Sequence, residues 1–382
     1  MVESVNKTME IEFELRVTDL SRGGAGVSRD PSGRVVFIPF SAPGDRLKVR
    51  ILEQNKRFAR GEILEIIEPS AFRQKPRCPV FGQCGGCQWQ HLTYELQWQT
   101  KVKGVLQALK RVKVELPENL EQIPAERIWE YRNRIQLRGE GSQMGYYRSQ
   151  SRDLVPVNRC DIARPEINES WEDTRTQASK LKAPYKVEVE VTSEGKIQRS
   201  WNAPHSAGGF RQVHDEQNEK LRNWILEAMT GTDILYDLFG GAGNLCLPLV
   251  KKMKEIHCID LSSPKSPPAG VPNTVHFHPT SVLSWLSKRV RNLSFSSSSG
   301  SASAILDPPR EGLGESFSEA ANSLEQLHVN ELVLVGCDPD SWARDLSRWF
   351  AKGWRIRRFM VIDLFPQTAH VESVALLRRD WE

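Results

Sequence analysis

The 382-residue chain has no run of about 18 apolar residues, which excludes a helix long enough to cross a membrane. Its opening stretch MVESVNKTMEIEFELR lacks an apolar core, so no secretory leader is expected and a cytoplasmic location is. Charge of one sign is also scarce. Lys and Arg number 52 against 48 Asp and Glu, and the net charge of +4 by itself points to no partner. Cysteine is sparse and odd in number, with seven in all, which rules out a secreted disulfide scaffold. In a reducing compartment such a set points to metal binding or catalysis. No internal repeat is present, and low complexity is confined to SFSSSSGSAS at 294–303. What the chain does have is 39% hydrophobic residues, enough to bury real cores, and length for two to three domains.

The charge is unevenly placed. Residues 1–200 hold 33 Lys and Arg against 27 Asp and Glu, whereas residues 201–382 hold 19 against 21. A basic front and a slightly acidic rear fit a nucleic-acid partner held by the first half and chemistry done by the second.

Along the chain, residues 8–68 alternate with period two in EIEFELRV, GRVVFIPF, RLKVRILE and RGEILEIIE, with turn chemistry at Asp30–Gly33 and Pro43-Gly44. Four to five short strands in so little chain predict a small barrel of oligonucleotide-binding type. Arg22, Arg29, Arg46, Lys48, Arg50, Lys56, Arg57 and Arg60 give it basic loops and faces suited to RNA. Residues 92–113 carry apolar positions at helical spacing with Lys101, Lys103, Lys110, Arg111 and Lys113 between them, which predicts a basic amphipathic helix. Residues 131–200 return to strand-like alternation. From about 210 the pattern becomes helix alternating with strand, and LCLPLVKKM reads as one of the helices. This predicts a doubly wound α/β domain. The expected divisions are 1–69, 70–205 and 206–382.

Cys78, Cys84 and Cys87 are spaced C-x5-C-x2-C in a Gly-rich loop, and Cys160 follows far downstream. Four thiolates suit zinc or an iron–sulfur cluster. Structural zinc usually takes two tight pairs, so three clustered cysteines plus one remote fit a 4Fe-4S cluster better. Cys246 and Cys258 lie in apolar segments and read as core.

DLFGGAGNL, Asp237 to Leu245, joins a buried strand to the next expected helix, whose N-terminus would offer free N–H groups. Gly240, Gly241 and Gly243 permit close backbone approach, and an acid 20 residues after Gly240, Asp260, is placed to hold ribose hydroxyls. G-G-x-G spacing favours S-adenosylmethionine over a nicotinamide dinucleotide. Further strand ends carry Asp307 in ILDPPREGL, Cys337 in LVLVGCDPDSWARDL, and His370 and Glu372 in PQTAHVESVALL.

Taken together and in order, GGAGV…VFIPF…PGD, CPVFGQCGGCQWQHL, YRNRIQLR, GGFRQV, DLFGGAGN, DPPREG, CDPDSWARDL and HVESVALL resemble the RNA uracil-5 methyltransferases. The similarity is to the type with an N-terminal TRAM barrel and an iron–sulfur cluster, and it covers nearly the whole chain. It implies a Rossmann-like methyltransferase domain preceded by a TRAM/OB-like barrel and a β-rich iron–sulfur domain. It also implies a cysteine nucleophile, Cys337, and a carboxylate base, Glu372. Gln212, Asp237, Gly240, Asp260 and Asp307 would bind or order S-adenosylmethionine, with Phe210 packed near it. Cys78, Cys84, Cys87 and Cys160 would hold the cluster. Arg132 and Asn133 would contact the target nucleotide or brace its pocket, and His370 would be a structural hydrogen-bonder. The implied substrate is a uridine of 23S ribosomal RNA, with the tRNA T-loop uridine second and a non-catalytic RNA-binding or assembly role third. The protein is expected to be a monomer.

The chain looks shorter than is typical for this type, and its motifs depart from the family at three points. Gly336-Cys337-Asp338-Pro339 stands where Ser-Cys-Asn-Pro is usual, His214 where Asn is frequent, and Asp260 where Glu is more common. Asp338 is expected to set a carboxylate beside the thiol and disfavour its ionisation.

Overall fold

The structure is a computed structural model describing residues 11–116, 119–181, 183–203, 211–293 and 301–379. Period-two alternation builds its first sheet from β1 (Glu12–Arg16), β2 (Asp19–Leu20), β3 (Gly26–Arg29), β4 (Val35–Ile38), β5 (Arg46–Gln54) and β6 (Phe58–Glu68). Their order is β1-β5-β6-β4-β3-β2. In RLKVRILE, Leu47 and Val49 point into a core with Leu15, Val36 and Ile38, while Lys48 points to solvent. Six strands form where four to five are expected, because the two-residue β2 has no alternation to announce it.

After α1 (Tyr94–Arg111) and β7 (Leu120–Ile123), a second sheet forms from β8 (Arg134–Glu140), β9 (Gln143–Tyr147) and β10 (Leu154–Pro156). Helices α2 (Pro165–Glu169) and α3 (Trp171–Ala178) follow, then β11 (Tyr185–Val191) and β12 (Ile197–Trp201). The order β10-β9-β8-β11-β12 is antiparallel throughout. Ile135, Leu137, Val187 and Val189 pack there against Ile167 and Trp171 of the two helices.

The third sheet carries the chemistry. Its elements are α4 (Asp215–Ala228), β13 (Ile234–Leu238), β14 (Glu255–Asp260), β15 (Val275–Pro279), α5 (Val282–Leu293) and β16 (Ala302–Leu306). They continue through α6 (Phe317–Gln326), β17 (Val329–Gly336), α7 (Pro339–Ala351), β18 (Trp354–Ile362) and β19 (Glu372–Arg379). The strand order is β15-β14-β13-β16-β17-β19-β18-β7. Strands β13 to β17 are parallel, and β19 runs antiparallel between β17 and β18. The winding direction reverses at β13, flanked by β14 and β16. In such sheets the crevice at the carboxyl ends beside the reversal is where ligands bind.

Two elements from the middle of the expected central unit belong to this sheet instead. Strand β7 pairs with β18, and Val102, Val105 and Leu109 of α1 share a core with Leu332, Trp342 and Leu346. The helix expected over LCLPLVKKM is a single 3-10 turn, Leu247–Leu249. Pro248 has no N–H to donate, and its ring would strike the carbonyl one turn earlier in an α-helix. No described helix is long and apolar enough to cross a membrane.

Candidate active site

Three strand ends converge. Cys337 follows β17 directly, and Asp307 follows β16. Because β19 runs antiparallel, its first residue Glu372 lies at the same edge, with Gly336 opposite Ser373. Glu372 is buried at 2% exposure, and Cys337 and Asp307 are half-buried. The groups act on one another. Burial first, and then the nearby Glu372 carboxyl, push the Cys337 thiol up to about 12, opposed by the Arg310 guanidinium. Burial and then Asp307 raise Glu372 well above the ordinary carboxylate range, again opposed by Arg310. Asp307 is raised by burial and then by Asp237 and Asp260. The carboxyls thus act on one another in series, from Glu372 beside the thiol through Asp307 to Asp237 and to Asp260 of β14.

The Asp338 carboxylate has backbone partners of its own. Asp338 is the N-cap of α7, its carboxylate accepting from the amides of Asp340 at 3.1 Å and Ser341 at 2.9 Å. Asn and Asp cap equally well, so the departure from the family leaves the cap in place. The expected penalty on the thiol comes instead from Glu372 and Asp307. Gly336 has its own reason: a Cβ there would sit 2.6 Å from Trp342.

At the reversal point, Asp237 is fully buried at the end of β13 and raised to about 6 by burial, while the thiols of Cys246 and Cys258 oppose the rise by donating to it. Its Oδ1 is buried without a hydrogen-bond partner among the described residues, an acceptor left for a bound group. A Cβ on Gly240 would lie 2.4 Å from the other oxygen, so only glycine fits. Asp237, Cys246 and Cys258 bring their ligand atoms within 4.8 Å of one another. The Cys258 thiol donates to Asp237 Oδ2 and to the Gly241 carbonyl, so these two cysteines pack and brace the turn. Asp260 accepts the amide and hydroxyl of Ser262, each at 2.6 Å.

Gln212 is buried at 4% on the approach to α4, and Asn133 Nδ2 holds its carbonyl at 2.9 Å and Asp215 at 2.6 Å. Asn133 is itself 1% exposed, which sets it as a brace rather than a surface contact. Asn218 on α4 and Asn244 of the glycine turn exchange hydrogen bonds of 2.9 Å. His214 stacks on Tyr131 at 4.8 Å and bonds the Arg127 carbonyl. Phe210 lies outside the described residues.

A separate cavity is lined by Cys78, Cys84, Cys87 and Cys160, with Arg132 and apolar walls from Ile135 and Val157. Burial raises Cys84 to about 11 and Cys87 to about 12, and in each the Cys160 sulfur raises it further. Arg132, expected near the nucleotide, faces these thiols. Its amide bonds Ile162 O, and its charge opposes the rise at Cys87.

Residues 9–64 match the TRAM domain family model, and residues 288–380 match that of tRNA (Uracil-5-)-methyltransferase, a span holding Asp307, Cys337 and Glu372. An RNA methyltransferase of Bdellovibrio bacteriovorus is 32% identical over 97% of this chain and 95% of its own length. The 23S rRNA (uracil(1939)-C(5))-methyltransferase RlmD of Chromohalobacter salexigens is 28% identical, covering 96% and 89%. Among solved structures, the Pyrococcus abyssi tRNA (uracil-54, C5)-methyltransferase with S-adenosyl-L-homocysteine overlays at TM-score 0.68 and 20% identity, covering 96% of this chain and all of that one.

The chain belongs to the RNA uracil-5 methyltransferase family. It is an S-adenosylmethionine-dependent RNA methyltransferase, with a TRAM domain ahead of an α/β methyltransferase body.

In this methyltransferase a groove of about 370 Å³ opens beside Cys337, walled by α1, the 20–23 loop of the barrel and His370. His370 bonds Arg310 at 3.3 Å and is lowered to about 4 by burial and that guanidinium, so it is neutral. Sequence reasoning passed over Arg310, although it lies three residues beyond Asp307 in DPPR. It also missed the fully buried ion pair of Lys101 with Asp363 at 2.7 Å, which Tyr94 joins through its hydroxyl. No local pattern marks that pair.

Proposed function

We propose that this enzyme methylates carbon 5 of a uridine in 23S ribosomal RNA through a covalent bond from Cys337 to carbon 6 of the base. The observation carrying this reading is the convergence of Cys337, Glu372 and Asp307 at one sheet edge, with Glu372 buried beside the thiol. A non-catalytic protein has no use for a buried carboxyl there, since burying it without a partner is unfavourable.

Carbon 5 of uracil is a weak nucleophile. Sγ of Cys337 adds to carbon 6, and the 5,6 π electrons move toward carbon 4 and its oxygen as an enolate. When bound, S-adenosylmethionine supplies an electrophilic methyl group on a positively charged sulfur. Asp237, Asp260 and Asp307 give that cation an acidic crevice, and the unpartnered Asp237 oxygen and the open Gly240 face suit it. Gln212 borders the crevice, ordered by Asn133. Glu372 then takes the proton from carbon 5, the 5,6 double bond re-forms, and Sγ leaves. Arg310 is the cation beside both groups and favours their ionised forms.

We further assign Cys78, Cys84, Cys87 and Cys160 to a 4Fe-4S cluster. They line one cavity. Three clustered cysteines and one remote suit such a cluster better than the two tight pairs usual for structural zinc. The units proposed are 1–69, 70–205 without the α1–β7 stretch, and 206–382 with it.

Two measurements test the reading. Cys337→Ala is expected to abolish methylation and the covalent adduct with 5-fluorouridine RNA, and an adduct surviving in that variant would overturn the nucleophile. Mapping of 5-methyluridine in a strain lacking the protein is expected to show one missing 23S position. A missing T-loop position would move the substrate to tRNA.

A further inference from the structure

The groove beside Cys337 has an unusual rim. Asp340, two residues beyond the N-cap of α7, is approached by two guanidiniums from different parts of the chain. Arg111 ends α1 and bonds one Asp340 oxygen at 2.6 Å, and Arg22 of the barrel meets the other oxygen. All three side chains are partly open to solvent, at 52% for Arg111, 37% for Arg22 and 49% for Asp340. Burial and then the Arg111 guanidinium disfavour the charge on Arg22, while the Asp338 carboxylate of the α7 cap favours it. Asp338 is already held by the amides of Asp340 and Ser341, so Asp340 is the acid that bonds both guanidiniums directly.

The positions are built. Thr100, Lys103, Gly104, Gln107 and Arg111 recur at helical spacing on α1, and the first four line the groove floor. The Arg22 stem runs over Gly104, its Cγ 3.5 Å from where a Cβ would stand. Lys103 holds Asp19 of the barrel at 2.6 Å, and Trp89 Nε1 donates to Gly24 O at 3.0 Å. The barrel loop carrying Arg22 is thus docked against the groove without help from Asp340. Holding the barrel does not require two arginines on one acid. A phosphodiester does suit them, because paired guanidiniums present fixed donors to anionic oxygens.

We propose that Arg22 and Arg111 form a clamp for the RNA phosphate flanking the target uridine, and that Asp340 stands in the place of that phosphate in the free enzyme. The inference rests on the assignment of Cys337 as the nucleophile, since that assignment makes this groove the entrance for the base. Asp340 keeps the two arginines together before RNA arrives. It also lowers the groove's attraction for RNA that cannot seat a base at Cys337, because displacing it is repaid only when a phosphate reaches both cations.

The full-length enzyme tests this in a salt series with a short fluorescent oligouridylate, read by anisotropy. Asp340→Asn is expected to tighten binding about fivefold, the scale of one partly exposed charge pair. Arg22→Ala and Arg111→Ala are each expected to weaken binding and to flatten the slope of log affinity against log salt by about 0.7, the contribution of one single-strand phosphate. Combining Asp340→Asn with Arg22→Ala is expected to erase most of the gain. The KM for S-adenosylmethionine should not move in any of these variants. If Asp340→Asn binds no tighter, or if either arginine variant keeps the wild-type slope, the clamp is overturned and Asp340 is only a latch between barrel and body. Cys337→Ala separates the two readings, as it should keep the wild-type affinity and slope while losing turnover. Retained turnover in Cys337→Ala would sink the nucleophile assignment, and the slopes would still decide the clamp.

Discussion

Burial pushes the Cys337 thiol up to about 12 and raises the Glu372 carboxyl above its ordinary range, and the Arg310 guanidinium opposes both rises. Burial is the largest cause for both, so the arrangement trades stability for a base poised to act in a dry crevice. The linkage has a definite sign for Glu372. Below about pH 4.5, its ordinary value, folded and unfolded chains both carry the proton, and the carboxyl contributes no penalty. As pH rises above that, the unfolded chain gains by ionising while the folded one ionises only at higher pH, and stability falls. Glu372→Gln, neutral at every pH, is therefore expected to melt several degrees higher than wild type at pH 7 and to converge with it near pH 4. Its turnover should fall by about 10² to 10⁴, the range of a lost general base. Because carbon–sulfur bond formation precedes proton removal, the covalent enzyme–RNA complex should accumulate. Calorimetry across pH and a denaturing gel with labelled RNA check the two halves. Lost turnover without accumulated adduct would move proton removal to another group.

At the scale of elements, the cap of α7 shows what a local pattern conveys and what it leaves out. The residues Asp338 and Pro339 announce a helix start, with a capping acid followed by proline in the first turn. They do not reveal that the acids acting on Cys337 are Glu372 and Asp307 from other strands. Asp338→Ala is expected to lower stability by about 1 kcal/mol, while Asp338→Asn should keep both the stability and the pH–rate profile. A shifted alkaline limb in Asp338→Asn would show that the carboxylate acts on the thiol after all. The same boundary separates the legible from the hidden elsewhere. The strands of the first two sheets and the glycine turn follow from alternation and short motifs. The pairing of β7 with β18 joins residues 120–123 to residues 359–362, and Lys101 finds Asp363 262 residues away. Lys101 reads in sequence as one more charge on a basic helix. Its side chain is 0% exposed, and only the returning chain supplies its partner. The shortened turn at Leu247–Leu249 was signalled by Pro248.

For the whole molecule, the cysteine cavity and the barrel are joined in series. Cys160 precedes α2 beside the second sheet, while Cys78, Cys84 and Cys87 belong to the loop leading to α1. Two residues past Cys87, Trp89 is buried at 1% and donates to Gly24 of the barrel, and the amides of Gln88 and Trp89 share the Gln367 carbonyl near Glu372. A group tying the four sulfurs together would therefore fix the segment on which the barrel rests and, through Gln367, the loop that leads to the base. It has no part in the methyl chemistry itself, since methyl transfer exchanges no electrons with it. Anaerobically prepared enzyme is accordingly expected to be brown, with about four irons per chain. Cys160→Ser should lose the iron and weaken RNA binding, because the barrel's seat loosens. Affinity for S-adenosylmethionine should stay within about twofold of wild type, the scatter expected between distant, independent sites. Metal analysis, anisotropy and titration calorimetry read the three quantities separately. Colourless, zinc-loaded protein would refute the cluster, and an equal loss of RNA and cofactor affinity in Cys160→Ser would mean that the cavity supports the catalytic sheet rather than the barrel.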